Sequence, residues 1–285
     1  MVCFCYLVKQ TIKEEIMKVN KFFLLCMVSG VLLFGGVSCN KETGKVNIFT
    51  LQDDIDLGNQ LAEEIANDPV NFPLLSRTQY PEAYERLDSI LDAFLATGHV
   101  AHADAFPWTA YIIHNDSLIN AFATPGGHVY FYTGLIKALD NEAMFAGVVA
   151  HEMAHCALRH STDRLTRHYG LSMLLAVVLG ENPSMLAKIA SEIGSGLASL
   201  AYSRRQEYEA DEFAVKYMSS TEYHPMALAD FFTKLEDMPH PPTFLSTHPS
   251  PEDRMEKIEE AWIKYGSHVG EYFEDRYQAF KNSLP

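Results

Sequence analysis

The 285-residue chain is 48% apolar and 12% aromatic, enough to bury a sizeable core, which excludes global disorder and suits one or two domains. Its 37 acidic and 22 basic residues give a formal net charge of −15. A surface that acidic argues against nucleic acid, and against anionic lipid as an electrostatic partner.

The chain opens with an export pattern. Met17-Lys18-Val19-Asn20-Lys21 is a short basic start, and Phe22 to Val37 is an apolar run of sixteen residues. That run is short of the ~20 residues a spanning helix needs, and its layout is that of a secretory signal peptide. Gly36-Val37-Ser38-Cys39 resembles a bacterial lipoprotein cleavage site with Cys39 as the lipid-bearing residue. Gly36 departs from the larger aliphatic residue usual there, and plain secretion or an uncleaved anchor are the alternatives. Residues 1–16 fit no export signal, since Glu14 and Glu15 stand where positive charge is wanted, so Met17 is read as the start. Without residues 1–38 the chain loses four Lys and two Glu, leaving 18 basic against 35 acidic residues, or −17. Membrane attachment would then come from the lipid, and Asn40 in place of an inward-retaining aspartate favours the outer membrane. Only Cys156 would remain as a free thiol, so no intrachain disulfide framework and no cysteine-rich zinc site is expected. The organisation expected is a signal over 1–38, a lipidated cysteine and polar tether over 39–50, and one domain over 51–285.

Apolar spacing predicts a helix over Leu51–Ala66, ended before Pro69, and a second over Pro81–Ala96 with proline in its first turn. Residues 108–123 read as a β-hairpin turning at Asn115-Asp116-Ser117, and His128–Tyr132 as a third strand after Pro125-Gly126-Gly127. Everything after Gly134 reads helical: Asn141–His160, a strongly apolar Leu171–Leu179 expected in the core, Pro183–Tyr202, Arg204–Ser219 and Pro225–Asp237. An interfacial or partner-binding role is the other option for Leu171–Leu179. Met238–Pro251 is too proline-rich to be regular, and Pro251 opens a last amphipathic helix to about Tyr265. No internal repeat of an adaptor domain is present.

The chemistry centres on His151-Glu152-Met153-Ala154-His155. On a helix, residues four apart lie about 40° from each other, so both imidazoles can point at one ion while Glu152 stands beside it. That is the metalloprotease arrangement, with Glu152 as general base. Its surroundings (Ala143, Met144, Val148, Val149, Ala150) are apolar, so the His and Glu side chains need a partner such as a metal to be buried cheaply. A third ligand is available in Ser203 to Asp211, where Glu207 and Asp211 are four apart and share a face. Glu207 suits the ion, and Asp211 can hold a ligating histidine's other nitrogen. A solvated charged helix start is the alternative for that stretch. Glu209 lies about 200° from Glu207 and cannot reach the same ion. His160, about 140° past His155 on a continuous helix, faces away from it; Cys156 is a packing residue.

Together with Arg159-His160, Tyr202-Ser203-Arg204 and Ser246-Thr247-His248-Pro249, these motifs resemble the HtpX and CAAX-prenyl-endopeptidase superfamily of gluzincin metallopeptidases. The resemblance runs from about Asn120 to Arg254, and most resembles the periplasmic lipoprotein proteases of the LoiP and BepA kind. It implies an α+β, mostly α-helical fold with a small three-stranded sheet edge above a helical zinc site. It implies Zn2+ held by His151, His155 and Glu207, with Glu152 as base and Asp211 behind a ligand. Asn120, Ala121 and Phe122 would belong to an edge strand that pairs with extended substrate by β-augmentation. For His248 the resemblance leaves two roles, a fourth ligand that blocks the water position or an oxyanion partner, beside a plain His-Pro turn. The function implied is a zinc-dependent endopeptidase acting on extended or misfolded polypeptides, outer-membrane proteins among them, in a bacterial cell envelope facing the periplasm. The competing reading is a lipoprotein chaperone or assembly factor with a latent zinc site.

Overall fold

The computed structural model describes residues 38–39, 46–250 and 252–285. Residues 1–37 of the expected signal segment, the Met17 start among them, and tether residues 40–45 lie outside the described residues, and lipid attachment at Cys39 remains an expectation from the sequence. The chain divides into two units between Thr50 and Leu51. In the first, strand β1 (Ser38–Cys39) pairs antiparallel with β2 (Val46–Asn47).

In the second unit, helix α1 (Leu51–Ala66) buries Leu57, Leu61 and Ile65 along one face. Helix α2 (Pro81–Leu95) has proline in its first turn and buries Leu87, Ile90, Leu91 and Phe94. Three strands follow, β3 (Thr109–Ile113), β4 (Ala121–Thr124) and β5 (His128–Tyr132), and their spatial order is β3-β5-β4. The hairpin expected over 108–123 is therefore not formed. β5 lies between the other two, parallel to β3 and antiparallel to β4. The tight connection is Pro125-Gly126-Gly127, where Gly126 and Gly127 take φ of 77° and 96°, so it joins β4 to β5 and the longer 114–120 segment crosses over. β4 is left at an edge.

The turn at Gly126 packs directly on α1. A Cβ on Gly58 would lie 2.1 Å from the Pro125 carbonyl oxygen, and one on Gly126 would lie 2.7 Å from that of Asp54. Both glycines are required by backbone meeting backbone.

The rest is helical. After α3 (Thr133–Ala138), α4 (Glu142–Ala157) starts where the Asn141 side chain accepts from the Met144 N–H. All sixteen residues of α4 are buried, which makes it the central element of the core. It stops short of the expected His160. Arg159 adopts the left-handed conformation, φ 60°, and a separate helix α5 (His160–Tyr169) begins. Helix α6 (Leu171–Val178) is not the core helix its composition predicted. It buries Leu174 and Val177 and leaves Leu175 37% exposed, with Leu179 just past its end 69% exposed. Helix α7 (Pro183–Gly194) is shorter than expected, since Gly196 turns at φ 70° before a single turn of 3-10 helix over Ala198–Leu200. Among the described residues no single helix is long and apolar enough to cross a membrane; α6 and α7 are so only together, and they meet at 108°.

Helix α8 (Arg204–Met218) opens with a reciprocal capping box between Ser203 and Gln206. It packs along α4, as do α9 (Ala227–Glu236) and, through α8, α11 (Arg254–Lys264). The proline-rich stretch expected to be irregular contains one helical turn, α10 (Phe244–Thr247). A final helix α12 (Glu274–Asn282), not foreseen from the sequence, buries Tyr277 and Phe280. The architecture is α+β and mostly helical, with one small sheet beside the α4 core.

Candidate metal centre

Helices α4 and α8 lie side by side, so one supplies histidines and the other carboxylates to a shared interior point. His151, Glu152, His155, Glu207 and His248 all have no exposed surface. The Nε2 atoms of His151 and His155 are 3.0 Å apart. Glu207 Oε1 lies 3.4 Å from His155 Nε2, and Oε2 lies 3.7 Å from His151 Nε2. His248 brings Nδ1 to 3.2 Å from His151 Nε2 and 3.3 Å from Glu207 Oε1.

These separations can be compared with a known geometry. A tetrahedral site with metal–ligand bonds of about 2.0–2.1 Å has vertices about 3.3 Å apart. His151, His155, Glu207 and His248 offer four donors that lie within 4.8 Å of one another, most of them on that spacing. Charge agrees. Glu152, Glu207 and Asp211 are buried, and Arg254 pairs with the last two, leaving a formal −2 that a divalent cation would offset. Among the described residues neither Glu152 oxygen has a well-formed hydrogen bond, which is costly for a buried carboxylate unless something else holds it. The cluster fits a bound metal ion.

The surrounding side chains fix the donors. Asp211 Oδ1 lies 2.9 Å from His151 Nδ1, behind the nitrogen that faces the cluster. Arg254, fully buried, reaches Asp211 with Nε at 2.7 Å and Nη2 at 2.9 Å, and Glu207 Oε2 with Nη2 at 2.9 Å. Its guanidinium also lies 3.5 Å over the Phe232 ring. Burial alone would raise the Glu207 carboxyl, but His248 and Arg254 beside it hold it well below the usual carboxylate range. Burial drives the His155 imidazole well below its ordinary value, with Glu207 opposing. For His151 burial acts downward too, and the Asp211 and Glu207 carboxylates together outweigh it, so its pKa is raised. Arg254 stays a cation because its two carboxylates more than offset burial.

Glu152 sits beside the donors, with Oε1 3.4 Å from His248 Nε2. His248 is held by stacking on Phe244 at 4.2 Å and by its own N–H donating to the Phe244 carbonyl. Tyr202 stacks on His155 with ring centroids 3.7 Å apart, and its N–H donates to Thr247 O at 3.0 Å. These two segments roof the cluster.

Asn120 leads into edge strand β4 and Ala121 and Phe122 begin it, all three buried. Asn120 donates through Nδ2 to Gly194 O, and its carbonyl accepts from the Tyr132 N–H. By antiparallel alternation Ala121 and Ala123 then direct their backbone groups away from β5. Ser161 Oγ lies 3.2 Å from Ala123 O and 3.1 Å from the Tyr202 hydroxyl. Cys156 points its thiol at Thr124 O, 3.0 Å away.

His160 overturns its sequence reading. The left-handed Arg159 folds α5 back, so His160 Nδ1 comes 3.1 Å from His155 Nδ1 and its Nε2 3.1 Å from Glu209 Oε2. Glu209 indeed does not reach the donor cluster itself, but it touches it through His160. Arg254 was also missed, although two carboxylates on one buried helix face require a cation somewhere. No spacing rule would have selected Tyr202.

The chain matches the family model described as Peptidase family M48 over residues 81–262. It is 31% identical over 238 residues to a putative beta-barrel assembly-enhancing protease of Vibrio cholerae, covering 70% of this chain and 49% of that one. Against the beta-barrel assembly-enhancing protease of Escherichia coli K12 it is 31% identical over 171 residues, 55% and 35% of the two chains. A mitochondrial metalloendopeptidase OMA1 of Schizosaccharomyces pombe is 32% identical over 162 residues, 55% and 47%. The chain spans half or less of the length of these relatives. The family model takes in both helices that converge on the buried donors, and the chain belongs to peptidase family M48.

Proposed function

We propose that the protein is a zinc-dependent endopeptidase that cleaves extended or misfolded polypeptides in a bacterial cell envelope. Zinc would be held by His151, His155 and Glu207, the set that suits its preference for nitrogen and carboxylate donors and leaves a fourth position for chemistry. The observation that carries the reading is Glu152: fully buried beside three converging donors and, among the described residues, without a well-formed hydrogen bond of its own. A structural metal site has no use for such a carboxylate; a hydrolase does.

Bound zinc supplies Lewis acidity, to the peptide carbonyl and to the water that attacks it. Glu152 takes the proton from that water and returns it to the leaving amine. Asp211 keeps His151 oriented, and Arg254 keeps Glu207 ionised and in place. The outward backbone groups of Ala121 and Ala123 offer an extended substrate two sites for strand pairing, which is β-augmentation. Ser161 now holds the Ala123 carbonyl, so pairing there displaces it. His248 Nδ1, 3.2 Å from His151 Nε2 and 3.3 Å from Glu207 Oε1, would be available as a fourth donor, which supports a resting state with the water position filled. The relatives named for beta-barrel assembly support outer-membrane proteins as clients, and the export pattern ending at Cys39 supports a lipid anchor facing the periplasm.

Replacing Glu152 by Gln tests this. The variant should bind zinc as the parent does and lose casein cleavage by about 10²–10⁴-fold, the usual worth of a general base. Unchanged turnover would exclude the scheme. The chaperone reading predicts that the same variant still complements a deletion strain.

A further inference from the structure

The reading of His155 as a metal ligand leaves its other nitrogen to be accounted for. Nε2 faces His151 and Glu207, so Nδ1 must carry the proton of the neutral ring. The atom opposite is His160 Nδ1, at 3.1 Å in a buried setting. Two N–H groups cannot face each other, so His160 accepts at Nδ1 and carries its own proton on Nε2. That nitrogen points at Glu209 Oε2, 3.1 Å away, and Glu209 is tied through Oε1 to Arg205 Nε at 2.7 Å. Only one proton arrangement satisfies the whole chain.

We propose that His160 and Glu209 are positioning residues that act through His155. His160 holds the His155 ring in its Nδ1–H form, with Nε2 free to bind the ion, and Glu209 fixes His160 in turn. The two histidines thus have different backing: Asp211 contacts His151 directly, whereas His155 is backed by a carboxylate one imidazole further out. The device depends on the left-handed Arg159, because a continuous helix would carry His160 to another face. It rests on the ligand assignment of the preceding section.

The test uses the full chain and zinc alone, titrated against a chromophoric chelator. Outer partners of metal-bound histidines are worth roughly 10–100-fold in metal affinity. His160→Phe, which fills the space but accepts no hydrogen bond, should weaken zinc binding by that factor. His160→Asn, whose side-chain oxygen can take the place of Nδ1, should recover part of it, and Glu209→Ala should fall between parent and His160→Phe. Thermal unfolding of the metal-free proteins should be alike. Wild-type affinity in His160→Phe, with His155→Ala abolishing binding, overturns the proposal while leaving the ligand assignment intact. Wild-type affinity in His155→Ala overturns the ligand assignment and the proposal with it. Should His160→Phe not fold, histidine 15N spectra of the zinc-loaded parent decide: a proton on His160 Nε2 supports the relay, and one on Nδ1 overturns it.

Discussion

His248 Nδ1 lies 3.2 Å from His151 Nε2, while its Nε2 lies 3.4 Å from Glu152 Oε1. A plug of that kind worth about 1.4 kcal/mol would hide the site from all but a tenth of encounters. His248→Ala should therefore raise casein cleavage by about tenfold, read as initial rate at saturating zinc. A lower rate would assign His248 to the oxyanion instead, and an equal rate would remove both roles.

Arg254 is the arginine set against both Glu207 and Asp211 in the buried cluster. Breaking a buried pair by removing one partner costs about 3–5 kcal/mol, because the remaining charge stays desolvated. Arg254→Met keeps the volume over the Phe232 ring and should destabilise the metal-free protein by that amount in urea unfolding. A loss under 1 kcal/mol would mean that the carboxylates find another partner.

Chelation provides a second stability test. A ligand at a thousandfold excess over its Kd adds about 4 kcal/mol to the folded state. For a domain of this size 1 kcal/mol corresponds to roughly 2–4 °C, so stripping zinc should lower the Tm by roughly 8–16 °C, restored by zinc. A Tm indifferent to chelator would argue against a resident ion.

His128 predicts a pH dependence. Burial pushes its imidazole down to about 4, where Nε2 meets Asn59 Oδ1 at 3.1 Å. Its folded value lies below the unfolded one, so its contribution is complete above about 6.5 and is lost as pH falls toward 4. In that window the unfolded chain binds a proton that the folded one refuses, a difference of about 3 kcal/mol. Stability of the parent should therefore fall more steeply between pH 7 and 4.5 than that of His128→Gln. Parallel curves would show that the ring is not excluded from water.

Much of the site was legible because it depends on local periodicity. His151 and His155 share a helix face by spacing alone, as do Glu207 and Asp211, and the α1, α2 and β5 boundaries follow from proline, glycine and apolar rhythm. What could not be read depends on events without a period. One left-handed residue, Arg159, ends α4 and reverses His160. Strand order was misjudged because Asn115-Asp116-Ser117 looks like a hairpin turn, whereas Pro125-Gly126-Gly127 makes the tight reversal and the other segment crosses over. Leu171–Leu179 was expected inside because composition cannot say which side of a short helix has a neighbour. Arg254 arrives from 43 positions beyond Asp211, a distance at which only tertiary structure pairs residues.

The seam between Gly58 and the turn at Gly126 has a mechanical consequence. Ordinary joints between elements are cushioned by side chains, whose rotamers absorb small displacements. Here carbonyl oxygens rest where a methyl group would collide, so no such cushion exists. Tilting α1 would carry the end of β4 with it, and the strand proposed to pair with substrate inherits its angle from the first helix of the domain.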